Sequence, residues 1–216
     1  MVIAIDGPSG VGKSTTARAV AAALGMAHLD TGATYRVATL VVLTEGVDSS
    51  DPDSILDVLS QHSIGFEDGE ALLDGTSVRT AIRSTDVTAT VSAVSAHPTV
   101  RERIVGLQRE WVATHGGTAV VEGRDIGTVV FPEAPVKVFL TARPEVRAAR
   151  RAGDAEVSGV SVAEVAEALV ARDTADATRA ASPMRPADDA TIIDTSDQGI
   201  HEVVSEILDL VATTSG

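Results

Sequence analysis

The residues best suited to chemistry lie near the amino terminus, in the stretch GPSGVGKST at positions 7–15. This stretch matches the pattern G-x-x-x-x-G-K-[ST], in which a glycine-rich backbone surrounds phosphate groups. In that pattern the lysine reaches the β- and γ-phosphates of a nucleoside triphosphate, and the next hydroxyl holds Mg²⁺. We therefore predict a loop that binds a nucleoside triphosphate, with Lys13 as the cation that reaches its phosphates and Ser14 as the magnesium ligand. Its residues are Gly7, Pro8, Ser9, Gly10, Val11, Gly12, Lys13, Ser14 and Thr15.

The flanking sequence supplies the elements that such a loop requires. Val2–Ile5 is a short apolar run typical of a buried strand, and residues 15–24 form an Ala-rich helix that Gly25 should end. A strand would then lead into the loop, and the amino terminus of the helix would add positive dipole near the phosphates. We expect Lys13 to be an exposed cation of this loop and not part of the core.

Polar residues also follow two later predicted strands. Thr31, Tyr35 and Arg36 come after a strand at 27–30, although Tyr35 could be a core residue and Arg36 a surface residue. Arg124 and Asp125 come after a strand at 118–121, where they form either a local ion pair or a ligand-binding pair. We favour ligand binding, because buried charge needs a partner.

Two helices place arginines at helical spacing. Arg147, Arg150 and Arg151 share one face, which is either a solvated basic face or a polyphosphate site. In the second helix, predicted from Ser161 to about Pro183, an apolar stripe is continued by charged residues. This change along one face predicts a helix entering a polar cleft. The stripe consists of Val162, Val165, Leu169, Arg172, Asp176 and Arg179.

The composition restricts the class of protein. The chain has 216 residues, a formal net charge of −14 and no cysteine, which excludes disulfides and thiolate zinc sites. The acidic balance argues against nucleic-acid and membrane binding, and no signal peptide is predicted, so we expect a cytoplasmic protein. The five histidines lack metal-ligand spacing, and we expect them near helix ends in capping or surface roles.

Strands and helices alternate along the chain, with one exception. Residues 64–78 contain the turn signals Asp68-Gly69 and Asp74-Gly75, which predict a small antiparallel meander. The rest predicts an α/β fold of the P-loop NTPase type: a doubly wound, parallel, five-stranded sheet with helices on both faces. Ligands of such sheets bind beyond the carboxyl ends of the strands.

Taken together, these segments resemble the bacterial cytidylate kinases, which belong to the nucleoside monophosphate kinases. The resemblance covers essentially the whole chain. It depends on IDGPSGVGKST, LDTGATYR, SAVSAHPTVR, EGRDIGTVVFPEAPVKVFLTA and ARDTADATR. It implies phosphoryl transfer from MgATP to CMP or dCMP. It also implies a core (1–34, 116–145 and 182–216), a monophosphate-binding subdomain (about 35–115, with an insert at about 64–80) and a lid (about 146–181).

The resemblance further implies a role for each matching residue. Ser92, Arg101 and Asp125 would recognise cytosine, and Arg36, Arg124 and Arg179 would hold the monophosphate. Asp176, with Tyr35 and Arg172, would meet the ribose, and Thr31 belongs to the same CMP site. The catalytic cations would be Lys13, Arg147, Arg150, Arg151, Arg172 and Arg179.

The sequence departs from the family at a few positions, and other kinases remain as alternatives. Thr31 replaces a common serine, and Ala175 and Ala177 stand where relatives often have arginines. Another small-molecule kinase, for UMP/CMP, shikimate or gluconate, would share the loop. A regulatory GTPase would need an Asn-Lys-x-Asp motif, and the sequence contains no asparagine. We expect a monomer.

Overall fold

The computed structural model describes residues 1–67, 69–153 and 161–214. Asp68 of the first predicted turn, residues 154–160 of the predicted lid and residues 215–216 of the predicted core lie outside this range. The strands are β1 (Val2–Asp6), β2 (Ala27–Asp30), β3 (Ile64–Glu67), β4 (Glu70–Leu73), β5 (Thr76–Ser77), β6 (Ala119–Gly123), β7 (Val136–Thr141) and β8 (Thr191–Asp194). The helices are α1 (Lys13–Leu24), α2 (Thr31–Thr44), α3 (Pro52–Ser60), α4 (Thr85–Ala96), α5 (Pro98–Thr114), α6 (Pro144–Ala152), α7 (Val162–Thr178) and α8 (Ile200–Thr214).

Five strands form one sheet in the order β2-β6-β1-β7-β8, with helices on both faces, as the alternating pattern predicts. Strand β1 pairs in parallel with β6 and with β7, and β7 pairs in parallel with β8. Asp6 at the end of β1 is in register with Gly123 of β6 and Phe139 of β7. The segments that leave these strands therefore start from one edge of the sheet, where ligands of such folds bind.

The chain divides into two compact units. The first, here called the phosphate-loop unit, contains Met1–His28 and His115–Gly216, and the second, the helical unit, contains Leu29–Thr114. In the phosphate-loop unit, β1 and β7 pack against α1 and α8 through buried residues such as Ile5, Val20 and Ile207. Full burial of a large aliphatic side chain such as these stabilises the folded state by roughly 1.5–3 kcal/mol.

The helical unit has its own core. Side chains of α2, α3, α4 and α5 surround Ile55 and Ile104, neither of which is exposed. Asp51 caps α3, with Pro52 in its first turn. Strands β3, β4 and β5 form the predicted antiparallel meander, in which Ile64 pairs with Leu73.

Helix α7 starts as predicted but ends earlier than predicted. The Ser161–Glu164 capping box is present, but the helix ends at Thr178, before the expected Pro183. Arg179 adopts extended backbone angles, and the Met184 N–H donates to the Asp176 carbonyl at 2.8 Å, so the chain folds back on the last turn. Val162, predicted to be part of the apolar stripe, is 53% exposed, because it lies in the first turn, beyond the packed residues Val165 and Leu169.

Helix α2 begins at Thr31, directly after β2. The Asp30 side chain accepts a hydrogen bond from the Ala33 N–H, which places the cap directly after β2. Within the described residues, none of the helices combines the length and apolar character needed to cross a membrane.

Candidate active site

The loop between β1 and α1 contains glycines in backbone conformations that residues with side chains rarely adopt. Gly10 has a φ of 80°, and a Cβ at this position would lie 2.8 Å from the Arg147 carbonyl oxygen. Gly12 has a φ of 95° and directly precedes α1. Both conformations are strained for residues with side chains, so the glycines allow the backbone to turn its N–H groups inward.

Lys13 is more enclosed than the sequence predicts. Its side chain is only 9% exposed, and its Nζ donates to the Pro8 carbonyl at 2.7 Å. The expectation of an exposed cation was therefore wrong. The long side chain folds back over its own loop, where the Pro8 carbonyl accepts one hydrogen bond from the ammonium group.

Ser14 is part of a hydrogen-bonded row that starts in β2. The Ser14 hydroxyl donates to Oε2 of Glu122 at 2.8 Å, and Oε1 of Glu122 lies 3.0 Å from Nε2 of His28. Glu122 is buried at the end of β6, which is adjacent to β2 in the sheet. Neither Glu122 nor His28 was predicted to belong to the site. His28 was also wrongly expected near a helix end, since it lies within a strand.

Arg124 connects the end of β6 to the phosphate loop. Its Nη1 donates to the Gly7 carbonyl at 2.9 Å and its Nη2 to the Ser9 hydroxyl at 2.6 Å. Its Nε donates to Oδ2 of Asp176 at 3.0 Å, which links the end of β6 and the phosphate loop to α7. One guanidinium thus connects three segments that are far apart in sequence.

Asp125 pairs with a different arginine. Its Oδ1 lies 3.6 Å from Nη2 of Arg179, whose Nη1 lies 3.7 Å from Oδ1 of Asp176. We call Arg124, Asp125, Asp176 and Arg179 the Arg–Asp cluster. Its acidic members are almost fully buried, and each carboxylate has an arginine partner, as buried charge requires. Arg124 and Asp125 thus each pair with a residue at the end of α7, and the cluster presents guanidiniums beside the loop.

Asp6, at the carboxyl end of β1, fixes the segment that follows Asp125. Its two carboxylate oxygens accept hydrogen bonds from the N–H groups of Ile126 and Gly127, each at 2.8 Å. Burial raises the pKa of Asp6 from its ordinary 3.8 to about 6, the nearby charge of Asp125 adds to the rise, and the two hydrogen bonds and Lys13 oppose it. Asp6 was not predicted as a site residue.

The arginines of α6 have different partners. Arg147 pairs with Asp173 of α7, and Oδ1 of Asp173 accepts from the Ser9 N–H of the phosphate loop at 3.3 Å. Arg150 instead donates to the carbonyl and hydroxyl of Thr195, at 2.6 and 2.9 Å. Arg151 and Arg172 are half-buried. Arg150 also donates to the Val11 carbonyl of the phosphate loop at 3.5 Å, so Arg150 connects the loop to the residue that follows β8, while Arg147 reaches the loop through Asp173.

The helical unit holds the other predicted CMP-site residues. Tyr35 is buried in the core of this unit, and the Arg101 guanidinium lies 5.0 Å from the centre of its ring, within cation–π range. Arg36 is half-buried and donates to the Ile82 carbonyl and the Thr88 hydroxyl, at 2.9 and 3.0 Å.

The remaining predicted residues of this unit lie on two helices. Thr31 is buried in the first turn of α2, and Ser92 is half-buried in α4. Arg101 is only 3% exposed, and its Nη1 donates to the Ser95 carbonyl at 3.2 Å.

Comparison with known proteins gives a consistent result. A family model described as cytidylate kinase matches residues 3–213. The chain is 50% identical over 221 residues to the cytidylate kinase of Corynebacterium efficiens, with 100% of this chain and 96% of that protein covered. It is also 50% identical over 222 residues to the cytidylate kinase of Rhodococcus opacus, with the same coverage. A cytidylate kinase of Mycobacterium leprae is 48% identical over 225 residues, covering 100% of this chain and 97% of the relative.

Solved structures share the fold at low sequence identity. A sugar kinase from Janibacter sp. superposes with a TM-score of 0.52 and 13% identity, covering 98% of this chain and 94% of that one. The TT1252 protein of Thermus thermophilus superposes with a TM-score of 0.51 and 20% identity, covering 99% of this chain and 96% of that one. These similarities concern the fold alone.

Proposed function

Because the chain belongs to the cytidylate kinase family, we propose that it transfers the γ-phosphoryl group of ATP to CMP and dCMP, which yields ADP with CDP or dCDP. The observation that carries this proposal is the 50% identity to a cytidylate kinase over the whole length of the chain. A phosphate loop with an enclosed lysine, found at the carboxyl end of β1, supports it.

We assign ATP to the phosphate loop. Its residues are Gly7, Pro8, Ser9, Gly10, Val11, Gly12, Lys13, Ser14 and Thr15. Lys13 is bonded to a carbonyl of its own loop, so it can exchange that partner for a phosphate oxygen without crossing the site. Its charge would then stabilise the negative charge that develops on the transferring group.

We further propose that ATP binds together with Mg²⁺, held by the Ser14 hydroxyl. The residues fit this ion, because Mg²⁺ prefers oxygen ligands and shares its coordination with phosphates, and Glu122 places a carboxylate 2.8 Å from the hydroxyl. Among the described residues no group of three or more histidine, cysteine, aspartate or glutamate side chains could hold a metal ion. When bound, the ion neutralises and orients the phosphates.

We propose CMP recognition by the residues that the family resemblance assigns. Ser92, Arg101 and Asp125 would read the cytosine edge, and Arg36, Arg124 and Arg179 would hold the monophosphate. Asp176 would meet the ribose with Tyr35 and Arg172, and Thr31 would belong to this site. On this basis the helical unit contains the monophosphate-binding subdomain, with the meander as its insert.

The reaction we propose needs no protein nucleophile. A phosphate oxygen of CMP attacks the γ-phosphorus of ATP, and the bond to the β-phosphate oxygen breaks as ADP leaves. The protein positions the two nucleotides and stabilises charge through Lys13 and arginines. The arginines we assign to this role are Arg147, Arg150, Arg151, Arg172 and Arg179. Closure of a lid at about 146–181 would exclude water, which would otherwise accept the phosphoryl group.

Release of ADP, measured across a panel of acceptors, tests the proposal. The panel is CMP, dCMP, UMP, AMP, GMP and shikimate, each with ATP and Mg²⁺. CMP and dCMP should give kcat/KM values far above those of the purine nucleotides and shikimate. A preference for shikimate or for a purine nucleotide would contradict it.

We also propose a cytoplasmic monomer. The cytoplasmic location is proposed because ATP and CMP are charged metabolites of the cytoplasm. Light scattering of the purified protein tests the oligomeric state.

A further inference from the structure

The hydrogen-bonded row His28–Glu122–Ser14 contains two ionisable residues, His28 and Glu122, that have no role in the proposed mechanism. Glu122 is 2% exposed, and each of its carboxylate oxygens has a hydrogen-bond partner: Ser14 for Oε2 and His28 for Oε1. Burying a carboxylate is costly unless hydrogen bonds compensate. The burial of Glu122 therefore indicates a functional role for the row, and the Ser14 hydroxyl at its end is the group on which the row can act.

The direction of each hydrogen bond follows from the chemistry of the groups. An ionised carboxylate can only accept, so both the Ser14 hydroxyl and the Nε2 of His28 donate to Glu122. A serine hydroxyl rotates freely unless a partner holds it. With its proton held by Glu122, the Ser14 hydroxyl keeps its lone pairs directed away from the carboxylate, so they can accept a ligand.

His28 restrains the Glu122 carboxylate, and this carboxylate in turn orients the Ser14 hydroxyl. A glutamate side chain loses conformational entropy when it is held in one arrangement. His28 lies on β2, next to β6 in the sheet, and its side chain is 14% exposed. Strands position this ring rigidly, so the 3.0 Å contact restrains the last torsion of Glu122. Outer partners of this kind orient metal ligands in many proteins.

We propose that His28 is a positioning residue for the magnesium ligand Ser14, acting through Glu122. The inference rests on the proposed magnesium-dependent function of the phosphate loop. It concerns the metal-dependent part of nucleotide binding only, because Glu122 contacts the Ser14 hydroxyl and His28 contacts Glu122.

Binding of ADP, measured by calorimetry with Mg²⁺ and again with EDTA, tests this proposal without requiring turnover. The readout is the ratio of the two Kd values, which measures how much Mg²⁺ strengthens ADP binding. In His28→Phe, which keeps a ring but no donor, the ratio should fall by about tenfold, as for other outer partners of metal ligands. The Kd in EDTA should stay at the wild-type value. His28→Gln, which restores a donor, should recover most of the ratio.

Three further measurements separate the proposed role from a general effect on the fold. His201→Phe, at an exposed histidine of α8, is the matched control and should leave the ratio unchanged. Glu122→Gln should lower the ratio, and adding His28→Phe to it should cause no further loss, because His28 acts through Glu122. Equal weakening of ADP binding with and without Mg²⁺, or an unchanged ratio in His28→Phe, would overturn the proposal. If the wild type failed to phosphorylate CMP, the proposed substrate would be wrong, while these ratios would still decide the role of His28.

Discussion

The Nε atom of Arg124 lies 3.0 Å from Oδ2 of Asp176, although 52 residues separate them in the chain. The same guanidinium donates to the Gly7 carbonyl and the Ser9 hydroxyl of the phosphate loop. Asp176 also lies 3.7 Å from Arg179. A single carboxylate of α7 therefore holds two of the arginines to which we assign the CMP monophosphate.

Removing this carboxylate should impair both CMP and dCMP. In Asp176→Ala we expect kcat/KM to fall at least tenfold for both, because Arg124 loses its partner and the charge of the cluster becomes unbalanced. If Asp176 also accepts from the ribose 2′-hydroxyl, CMP should lose about 1–3 kcal/mol more than dCMP. Equal losses would remove the ribose role, and unchanged kinetics for both would contradict a place in the site.

Loss of the loop lysine should abolish transfer and leave the fold intact. Lys13→Met keeps the apolar stem and removes the ammonium group, so we expect kcat to fall by at least about a hundredfold, as when a single group that stabilises transition-state charge is removed. Lys137→Met is the matched control, because Lys137 is the other lysine of the chain and pairs with the exposed Asp189. Near-normal turnover in Lys13→Met would show that the loop does not bind the transferring phosphate.

Asp125 should affect the acceptor more than the donor. Its carboxylate is the acceptor that we assign to the cytosine amine, so Asp125→Ala should weaken CMP by about 1–3 kcal/mol, with ATP much less affected. Asp188→Ala, at a fully exposed carboxylate, serves as the control. Equal losses for CMP and ATP in steady-state kinetics would argue for a role in positioning Arg179 only.

Asp6 should make the stability of the ligand-free protein depend on pH. Its pKa is raised to about 6, so between about pH 4 and pH 6 the folded protein retains a proton that the unfolded chain has released. As the pH rises through this window, the contribution of Asp6 to the free energy of unfolding should fall, by on the order of 3 kcal/mol in total. Above pH 6 Asp6 is ionised in both states, and the contribution stays low.

Comparison with Asp6→Asn isolates this effect, because the amide does not titrate. Urea unfolding from about pH 4 to pH 7 should show the wild type losing stability relative to the variant. A stability difference between the two proteins that stays constant over this range would contradict the raised pKa.

The sequence predicts the parts of the site that depend on local patterns. The phosphate loop, the capping box at Ser161 and the meander at 64–78 each follow from residues close together in the chain, and the structure contains all of them. The alternation of strands and helices likewise predicts the parallel sheet. These features depend on backbone preferences that neighbouring residues determine.

The remaining features depend on contacts between distant residues. His28 meets Glu122 across 94 positions, and Asp6 meets Ile126 across 120. Strand order creates these contacts, and periodicity does not reveal it. A charged residue at the carboxyl end of a buried strand was the signal available for Asp6 and Glu122. The end of α7 was missed because the Asp176 carbonyl receives a tertiary hydrogen bond from Met184.

The central claim, transfer of a phosphoryl group from ATP to CMP, is tested most directly by ³¹P NMR of the reaction. Purified wild-type protein is incubated with ATP, Mg²⁺ and CMP, and the phosphorus signals of all products are followed to equilibrium. We predict that CDP and ADP appear in equal amounts, with no inorganic phosphate beyond that of an enzyme-free control. Formation of ADP with inorganic phosphate and without CDP would contradict the claim, and so would the absence of any ATP consumption.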